Sequence, residues 1–410
     1  MSHKISFSQI LALIICFLLP TQLGQHFWPT YTLVANIRVD YLSPTLYLTY
    51  VVLVLIILVN YKQLFKLLLN FKYKVQLSLA LLISFIFWVH TSPLISLILP
   101  LIFFAIIAIG TYFVAQELQK PNLRKSAVVV FILCLFLQTI LSMYQWQTGH
   151  SFNRFAYWLG ERDVNINQPF IPKARFINTV KLRPQGTFSH PNSLSAYAVI
   201  VSVIIFNFLT KQSHKYKFML IPLFLSVIII TLTQSFNTYL SLLLSFLTFL
   251  TYKYLYKKIH ILFFPLILGI FVPLLIAFSS YSSTHDSIMR RIVHYQIILP
   301  YVRAFPLGTG PNQFITHLPK FITPSLDLLQ PLHNTYWLII LQLGIPLSAL
   351  SLFIVVKTFH SKSSPVHIFL VSFILYTAIF DHYWITLVQN QLLLALSFHL
   401  VRNIGKTDKI

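Results

Sequence analysis

Acidic residues are the scarcest feature of this chain: 8 Asp+Glu stand against 30 Lys+Arg in 410 residues. There is no Asp-x-Asp and no clustered Cys/His pattern. Hard divalent cations are held by carboxylate and other oxygen ligands, so no metal site and no cofactor is expected. Glu161 and Asp163 flank Arg162, which reads as a solvated loop. Cysteine is nearly absent too. Cys16 and Cys134 each lie inside an apolar run and read as packing residues, neither a disulfide nor a metal pair. Charge of either sign is low, at 9%. The cations are scattered between apolar runs rather than gathered on one soluble domain, which argues against a nucleic-acid partner. No internal repeat is visible, which disfavours an inverted-repeat transporter. One Lys precedes the first apolar run and no small-residue cleavage pattern follows, so that run reads as a retained span.

What the chain has is hydrophobicity: 57% apolar residues and a mean hydropathy of +0.75. Lipid offers no hydrogen-bond partners, so a spanning chain must be helical or a closed barrel. Runs near 20 residues long without alternation exclude barrel strands. The expected fold is all-α, a single polytopic membrane domain over 1–410. Twelve spans are expected at about 5–23, 43–60, 75–92, 93–115, 126–146, 189–210, 218–235, 237–252, 260–280, 333–356, 365–381 and 384–401.

The cations orient these spans. One set of short loops carries Lys4, Lys62, Lys66, Lys72, Lys74, Lys120, Arg124, Lys125, Lys211, Lys215, Lys217, Lys253, Lys257, Lys258, Lys357, Lys362, Arg402, Lys406 and Lys409. By the positive-inside rule this face, with both termini, is cytoplasmic. The opposite face carries Arg38, Arg154, Arg162, Lys173, Arg175, Lys181, Arg183, Arg290, Arg291, Arg303 and Lys320. The inner set is mostly Lys and the outer set mostly Arg. Topology needs only charge and does not explain that switch. Guanidinium forks bind phosphate oxygens bidentately, so an Arg-rich outer face points to an anionic, phosphate-bearing substrate. A chance bias in a small sample is the plainer alternative.

Two extracytoplasmic loops are long, 147–188 and 281–332, and long ordered loops are usually functional. In the second, a helix over 288–304 is expected, capped by Ser287, apolar through Ile288, Ile292, Tyr295 and Leu299, and bent at Pro300. It would lie along the membrane surface with its arginines near lipid headgroups.

The most specific stretch is Arg183 to Asn192, RPQGTFSHPN, at the mouth of an apolar span. It resembles the Arg-x-x-Gly-Thr-Phe-x-His-Pro-Asn signature of the O-antigen ligase family. Arg291 to Tyr295 followed by Pro306 to Gly310 resembles the family's Arg-x-x-x-Trp then Pro-x-Gly-x-Gly pattern, with Tyr295 where Trp is usual. His333-Asn334-Thr335-Tyr336 followed by Gly344 resembles its His-Asn-x-Tyr…Gly, and Asp381 to Trp384 its late motif. The resemblance is strongest over 183–400. Phe236 is a departure, since members often have Arg there.

The resemblance implies a GT-C-type membrane glycosyltransferase in the cytoplasmic membrane. It would move a glycan from an undecaprenyl-diphosphate-linked donor to an acceptor hydroxyl on the outer side. In ligases the acceptor is a lipid A-core sugar; in polymerases it is another repeat unit; related members glycosylate proteins. All three stay open.

The residue types suit that chemistry. Breaking a sugar–diphosphate bond develops negative charge on the diphosphate, and fixed Arg donors lower that barrier. Arg183 and Arg291 are the first candidates; Arg290 and Arg303 are next as substrate-binding groups. His333 is the candidate to orient or deprotonate the acceptor, because imidazole titrates near neutrality. His190 and Asn192 either position substrate or satisfy the start of their span. Gly308 and Gly310 allow turns that bring amides near a ligand. Asn334 and Tyr336 accompany His333, and Asp381 pairs with an outer Arg or orients His382. A transporter for lipid-linked sugars is the reading from another class. It requires ionisable residues along the spans, and the apolar runs hold almost none.

Overall fold

Helix ends show why these runs stop and start where they do. In the computed structural model, which describes residues 5–69, 74–177, 179–210, 219–256, 259–278, 286–359 and 365–402, helix dominates. Ser6 caps α1 (Phe7–Leu18) in a capping box, its hydroxyl accepting from the Gln9 N–H while the Gln9 side chain accepts from the Ser6 N–H. An excursion of short strands follows: β1 (Gly24–His26), β2 (Leu33–Val34), β3 (Ile37–Arg38) and β4 (Thr45–Tyr47), with β1 antiparallel to β4 and β2 to β3. Then α2 (Leu48–Val59) turns by 83° at Asn60 into α3 (Tyr61–Leu69). Exposed Lys62 and Lys66 on α3 suit a helix lying in the membrane interface.

The next helices are α4 (Lys74–Val89), α5 (Leu94–Leu118) and α6 (Pro121–Thr148). Pro121 opens α6, and left-handed Gly149 closes it. A hairpin of β5 (Lys173–Phe176) and β6 (Thr179–Leu182) leads to α7 (Pro191–Thr210). After it come α8 (Leu220–Thr233), α9 (Phe236–Thr251) capped by Ser235, and α10 (Phe263–Phe278). The second loop holds α11 (Asp286–Gln296), α12 (Ile298–Ala304) and α13 (Phe314–His317). The chain ends in α14 (Thr335–Phe359), α15 (Pro365–Phe380), α16 (Tyr383–Thr386) and α17 (Val388–Arg402).

Among the described residues, Leu94–Leu118, Pro121–Thr148, Pro191–Thr210 and Thr335–Val355 are long and apolar enough to cross a membrane. Counting the bent pair Leu48–Val59 and Tyr61–Leu67 as one span would make five. The other expected spans contain shorter or interrupted helices. At ~1.5 Å per residue, a helix such as α1, with 12 residues, is about 18 Å long, short of the ~30 Å hydrocarbon core. The last expected span, 384–401, is broken at Leu387, which is extended. Of the expected inner cations, Lys4, Lys72, Lys211, Lys215, Lys217, Lys257, Lys258, Lys362, Lys406 and Lys409 lie outside the described residues. The side chains of Lys74, Arg154, Ser287, Lys357 and Arg402 do so as well.

α7 is the most enclosed of the long helices and lies within the main core, against α6, α8 and α17. Its small polar residues make this possible: Ser193 bonds Asn390, and Ser195 bonds Thr238 at 2.5 Å. A second core joins the strand excursion to the second loop. Val34, Val39 and Leu42 of the strand excursion pack with Tyr295, Ile298, Tyr301 and Leu332 of the second loop.

The expected helix over 288–304 is two helices, with the break at Ile297. Pro300 accounts for it: its ring clashes with the carbonyl of Gln296 and it donates no hydrogen bond. The first helix begins at Asp286, so Ser287 is already inside it. Ile292 and Tyr295 are buried as expected, whereas Ile288 is exposed.

Gly308 and Gly310 serve packing. Both have positive φ, 76° and 100°. A Cβ on Gly308 would lie 2.2 Å from the Gln342 carbonyl oxygen, at the bend of α14 where Gly344 has φ 79°. Gly308→Ala is therefore expected to cost roughly 2–4 kcal/mol through overpacking and left-handed strain. A thermal midpoint in detergent within a degree of wild type would contradict this.

Candidate functional site

Three loops and the strand excursion enclose one large cavity of about 910 Å³. Arg183, His190 and Asn192 reach it from the start of α7, Arg290 and Arg291 from α11, and His333, Asp381 and His382 from the ends of α14 and α15. Arg162 and Lys173 of the first loop complete the cationic lining. The carboxylates facing it are Asp40, Asp163 and Asp381.

At the centre is a connected network. The Arg183 Nε donates to the Thr233 carbonyl at 2.7 Å, and its Nη2 donates to Asn192 Oδ1 at 3.0 Å. Asn192 Oδ1 also accepts from the Ser235 hydroxyl at 2.9 Å, and its Nδ2 donates to Asp381 Oδ2 at 2.8 Å. Asp381 Oδ1 accepts the His382 backbone N–H at 2.8 Å and lies 3.8 Å from His333 Nδ1. That nitrogen is buried and makes no hydrogen bond. Asn192 thus couples the guanidinium to the carboxylate that stands beside His333. The left-handed Gln234, at φ 44°, ends α8 and presents the Thr233 carbonyl to Arg183.

The electrostatics follow from burial. His333 is pushed down to about 3 by burial, against the pull of Asp381, and is neutral at pH 7. His190 is pushed down to about 4, again chiefly by burial, and its Nδ1 accepts the Asn192 N–H at 3.2 Å. His382 is lowered by burial. Burial pushes the Asp381 carboxyl up, but the neighbouring His333, His382 and His190 outweigh it and hold it well below the usual range. Asp381 is the buried anion of a cationic site.

These shifts carry a stability prediction. In the unfolded chain the imidazoles titrate near 6.5. Below that pH the unfolded state binds protons that folded His190 and His333 refuse, down to about 4 and about 3. Their contribution is complete above pH 6.5 and lost as pH falls. The thermal midpoint should drop between pH 7 and 5, and by less in His190→Gln. An equal drop in both proteins would remove His190 from the account.

The remaining expected residues fall outside the cavity. Asn334 is a strut: its Nδ2 donates to the Gly269 and Ile379 carbonyls, both at 2.9 Å, and its Oδ1 accepts the Trp337 N–H. Tyr336 donates to the Leu375 carbonyl at 2.6 Å and fills the space above Gly269. Both hold the start of α14 and so the position of His333. Arg303 is exposed at the end of α12, and Gly308 and Gly310 pack under α14. Arg38 stacks on Trp28 at 3.3 Å. Phe236, where the resembled family often has Arg, is 74% exposed.

Sequence reasoning missed the support for the Arg183 loop. Gln145 Oε1 accepts from the N–H groups of Gln185 and Gly186 at 2.9 and 3.0 Å, and its Nε2 donates to buried Glu161 at 2.7 Å. Gln138 accepts the Thr187 N–H and donates to the Thr187 hydroxyl. Two glutamines seven residues apart on one apolar helix share a face, and that spacing was the available signal. Glu161, read from sequence as a solvated loop acid, is buried and binds the backbone N–H groups of Phe152 and Asn153. His26, Tyr41 and Ser43 also line the cavity, with Tyr41 edge-on to His382.

One cluster bears on the metal question. Ligand atoms of His333, Asp381 and His382 lie within 4.8 Å of one another. Two imidazoles and a carboxylate suit zinc, while Arg183 and Arg291 beside them repel a cation. The Asp381 oxygens are, besides, already occupied by Asn192 and the His382 N–H.

Fold and cavity together define a mostly helical protein with helices able to cross a membrane and one cationic, histidine-rich chamber at their ends. No family model, no curated protein and no solved structure matches the chain.

Proposed function

We propose that this chain is a membrane glycosyltransferase of the O-antigen ligase type, with twelve spans in a GT-C-type arrangement and both termini cytoplasmic. It transfers a glycan from an undecaprenyl-diphosphate-linked donor to an acceptor hydroxyl at the outer face of the cytoplasmic membrane. The observation that carries the reading is convergence: Arg183 and the adjacent pair Arg290 and Arg291, far from it in sequence, line one cavity with His190, His333 and His382. Arginines are placed to bind the diphosphate and take up the charge that develops as its bond to the sugar breaks. The acceptor oxygen attacks the anomeric carbon from the opposite side, and its proton passes to neutral His333. Asp381 stabilises the imidazolium that forms. The departing electron pair stays on the diphosphate. Inversion at the anomeric carbon follows.

A polymerase would run the same step on a lipid-linked repeat unit, and the product decides between the two. A transporter for lipid-linked sugars needs ionisable groups along its path. The buried acids among the described residues, Glu117, Glu161 and Asp381, sit at helix ends or in a loop.

The test is direct. Purified protein is incubated with a labelled undecaprenyl-diphosphate glycan and a panel of acceptors, with and without chelator. Label on a lipid A-core acceptor means ligase, and a lengthened lipid-linked chain means polymerase. Donor binding without transfer to any acceptor would sink the transferase reading and favour transport. Loss of transfer on chelation, restored by zinc, would put a metal at His333, Asp381 and His382.

A further inference from the structure

The short helix α3 lies at the end of α2 away from the cationic chamber. Thr45, Tyr47 and Tyr50 line the chamber at the start of α2, and α3 begins beyond its last residue, Val59. The 83° turn at Asn60 lays α3 across the direction of α2. Contacts within the protein fix this elbow. Asn60 Nδ2 donates to the Ile56 carbonyl at 2.8 Å and to the Ser8 hydroxyl at 3.1 Å. Ser8 donates in turn to buried Glu117 at 3.3 Å, and Glu117 pairs with Lys120. Leu64 packs against the main core. The direction of α3 is therefore set by α1 and α5, before any ligand is bound.

Two exposed stripes run side by side along α3. Tyr61, Phe65 and Leu69, each a turn apart, are 51%, 64% and 68% exposed. Next to them stand Lys62 and Lys66, also a turn apart and exposed. The flanking helices are apolar on their exposed sides as well: Leu55 and Leu58 on α2, Leu79 and Ile83 on α4. So much contiguous apolar surface marks a border with hydrocarbon rather than with water. The lysines have no carboxylate to meet. From Tyr41 to Gln116 the sequence holds no acidic residue. Among the described residues, neither Lys62 nor Lys66 forms an ion pair.

We propose that α3 is a binding surface for anionic phospholipid, on the side of the protein opposite the chamber. Tyr61 and Phe65 lie among the upper acyl chains, and Lys62 and Lys66 bind headgroup phosphates. A soluble anion would satisfy the lysines and leave the apolar stripe in water. A zwitterionic headgroup brings its own cation beside two ammonium groups, so the surface selects lipid of net negative charge. A basic residue held at an anionic surface is worth about fivefold in binding. The fixed elbow spares the cost of ordering the helix on binding. Lipid binding here is independent of any activity in the chamber.

The experiment uses the full chain in lipid nanodiscs, with an environment-sensitive bimane attached through Phe65→Cys. Cys16 and Cys134 are buried and escape labelling. The quencher is phosphatidylglycerol or phosphatidylcholine brominated in the upper acyl chain, titrated into unbrominated phosphatidylcholine. Brominated phosphatidylglycerol should quench at a several-fold lower mole fraction than brominated phosphatidylcholine. Lys62→Gln with Lys66→Gln should abolish that preference, and Lys62→Arg with Lys66→Arg should keep it. High salt should weaken it. Equal quenching by the two lipids, or a preference unchanged by the glutamines, would overturn the anionic site. Absence of quenching by either lipid would overturn the lipid surface itself. Water-like bimane emission would then place α3 in solvent, and apolar emission would mean that protein, such as a second copy of the chain, covers it.

Discussion

Arg183→Ala is expected to lower glycan transfer about 10²–10³-fold, the range for removing one preorganised donor from a developing anion. Arg183 is expected to matter more than its neighbours because it is fixed at two points, by the Thr233 carbonyl and by Asn192 Oδ1. A preorganised guanidinium has no reorganisation to undergo when charge appears on the diphosphate. Arg183→Lys should recover little, since an ammonium lacks the planar fork that meets Thr233, Asn192 and a phosphate oxygen together. The loss should fall mainly in kcat, because the charge to be bound grows in the transition state. The measurement is initial rate against donor concentration with labelled lipid-linked glycan. An Arg183→Lys protein within tenfold of wild type would reduce Arg183 to a simple point charge.

His333→Ala comes second, with an expected loss of about 10²-fold, the low end of the range for a general base, since burial makes His333 a weaker base than a free imidazole. The pH profile separates a base from a merely structural histidine. His333 is neutral far below the ordinary imidazole range, because burial outweighs the attraction of Asp381. Wild-type transfer should therefore stay level from pH 7 to about pH 5, where an unperturbed imidazole would already be mostly protonated. Asp381→Asn can keep only one of the two hydrogen bonds that Asp381 accepts, from the Asn192 amide or from the His382 N–H, and should slow transfer, because the imidazolium formed in the step loses its counter-charge. An acid limb near 6.5 in wild type, or transfer unchanged in His333→Ala, would take the base role from His333 and leave the enzyme class standing.

Several elements could be read before any fold was in view. The apolar runs announced helices, and every expected span contains one. The Arg183–Asn192 stretch and the Asp381–His382 pair were both singled out, and they meet in the cavity together with Arg290, Arg291 and His333. The runs gave no true helix lengths. Composition does not record that a helix such as α2 stops after 12 residues, or that the strand β4 occupies the start of the expected span 43–60. The chain between the expected spans 5–23 and 43–60 shows no element in the sequence, and the structure extends the excursion into both span ends. Its strands are two or three residues long, too short for alternation to register.

Within the site, residue type could nominate but not assign. Gly308 and Gly310 were expected near ligand and pack under α14; Asn334 and Tyr336 were expected beside substrate and hold His333 from behind. A glycine in a turn and an amide at a helix start look the same in sequence whichever way they face. Glu161 and the two glutamines of α6 are the reverse case, inconspicuous residues whose worth lies in the backbone groups they meet 8 to 49 positions away.

The sequence by itself determined the medium, the helical class and the chemical character of the outer loops, because each depends on composition summed over a segment: hydropathy over twenty residues, charge over a loop, guanidinium in place of ammonium. Only the tertiary structure decided which of those arginines and histidines share a cavity, that Asn192 ties Arg183 to Asp381, and that Ser8 and Glu117 hold the elbow between α2 and α3. Those facts depend on distances between residues remote in the chain, and such distances exist only once the helices have packed.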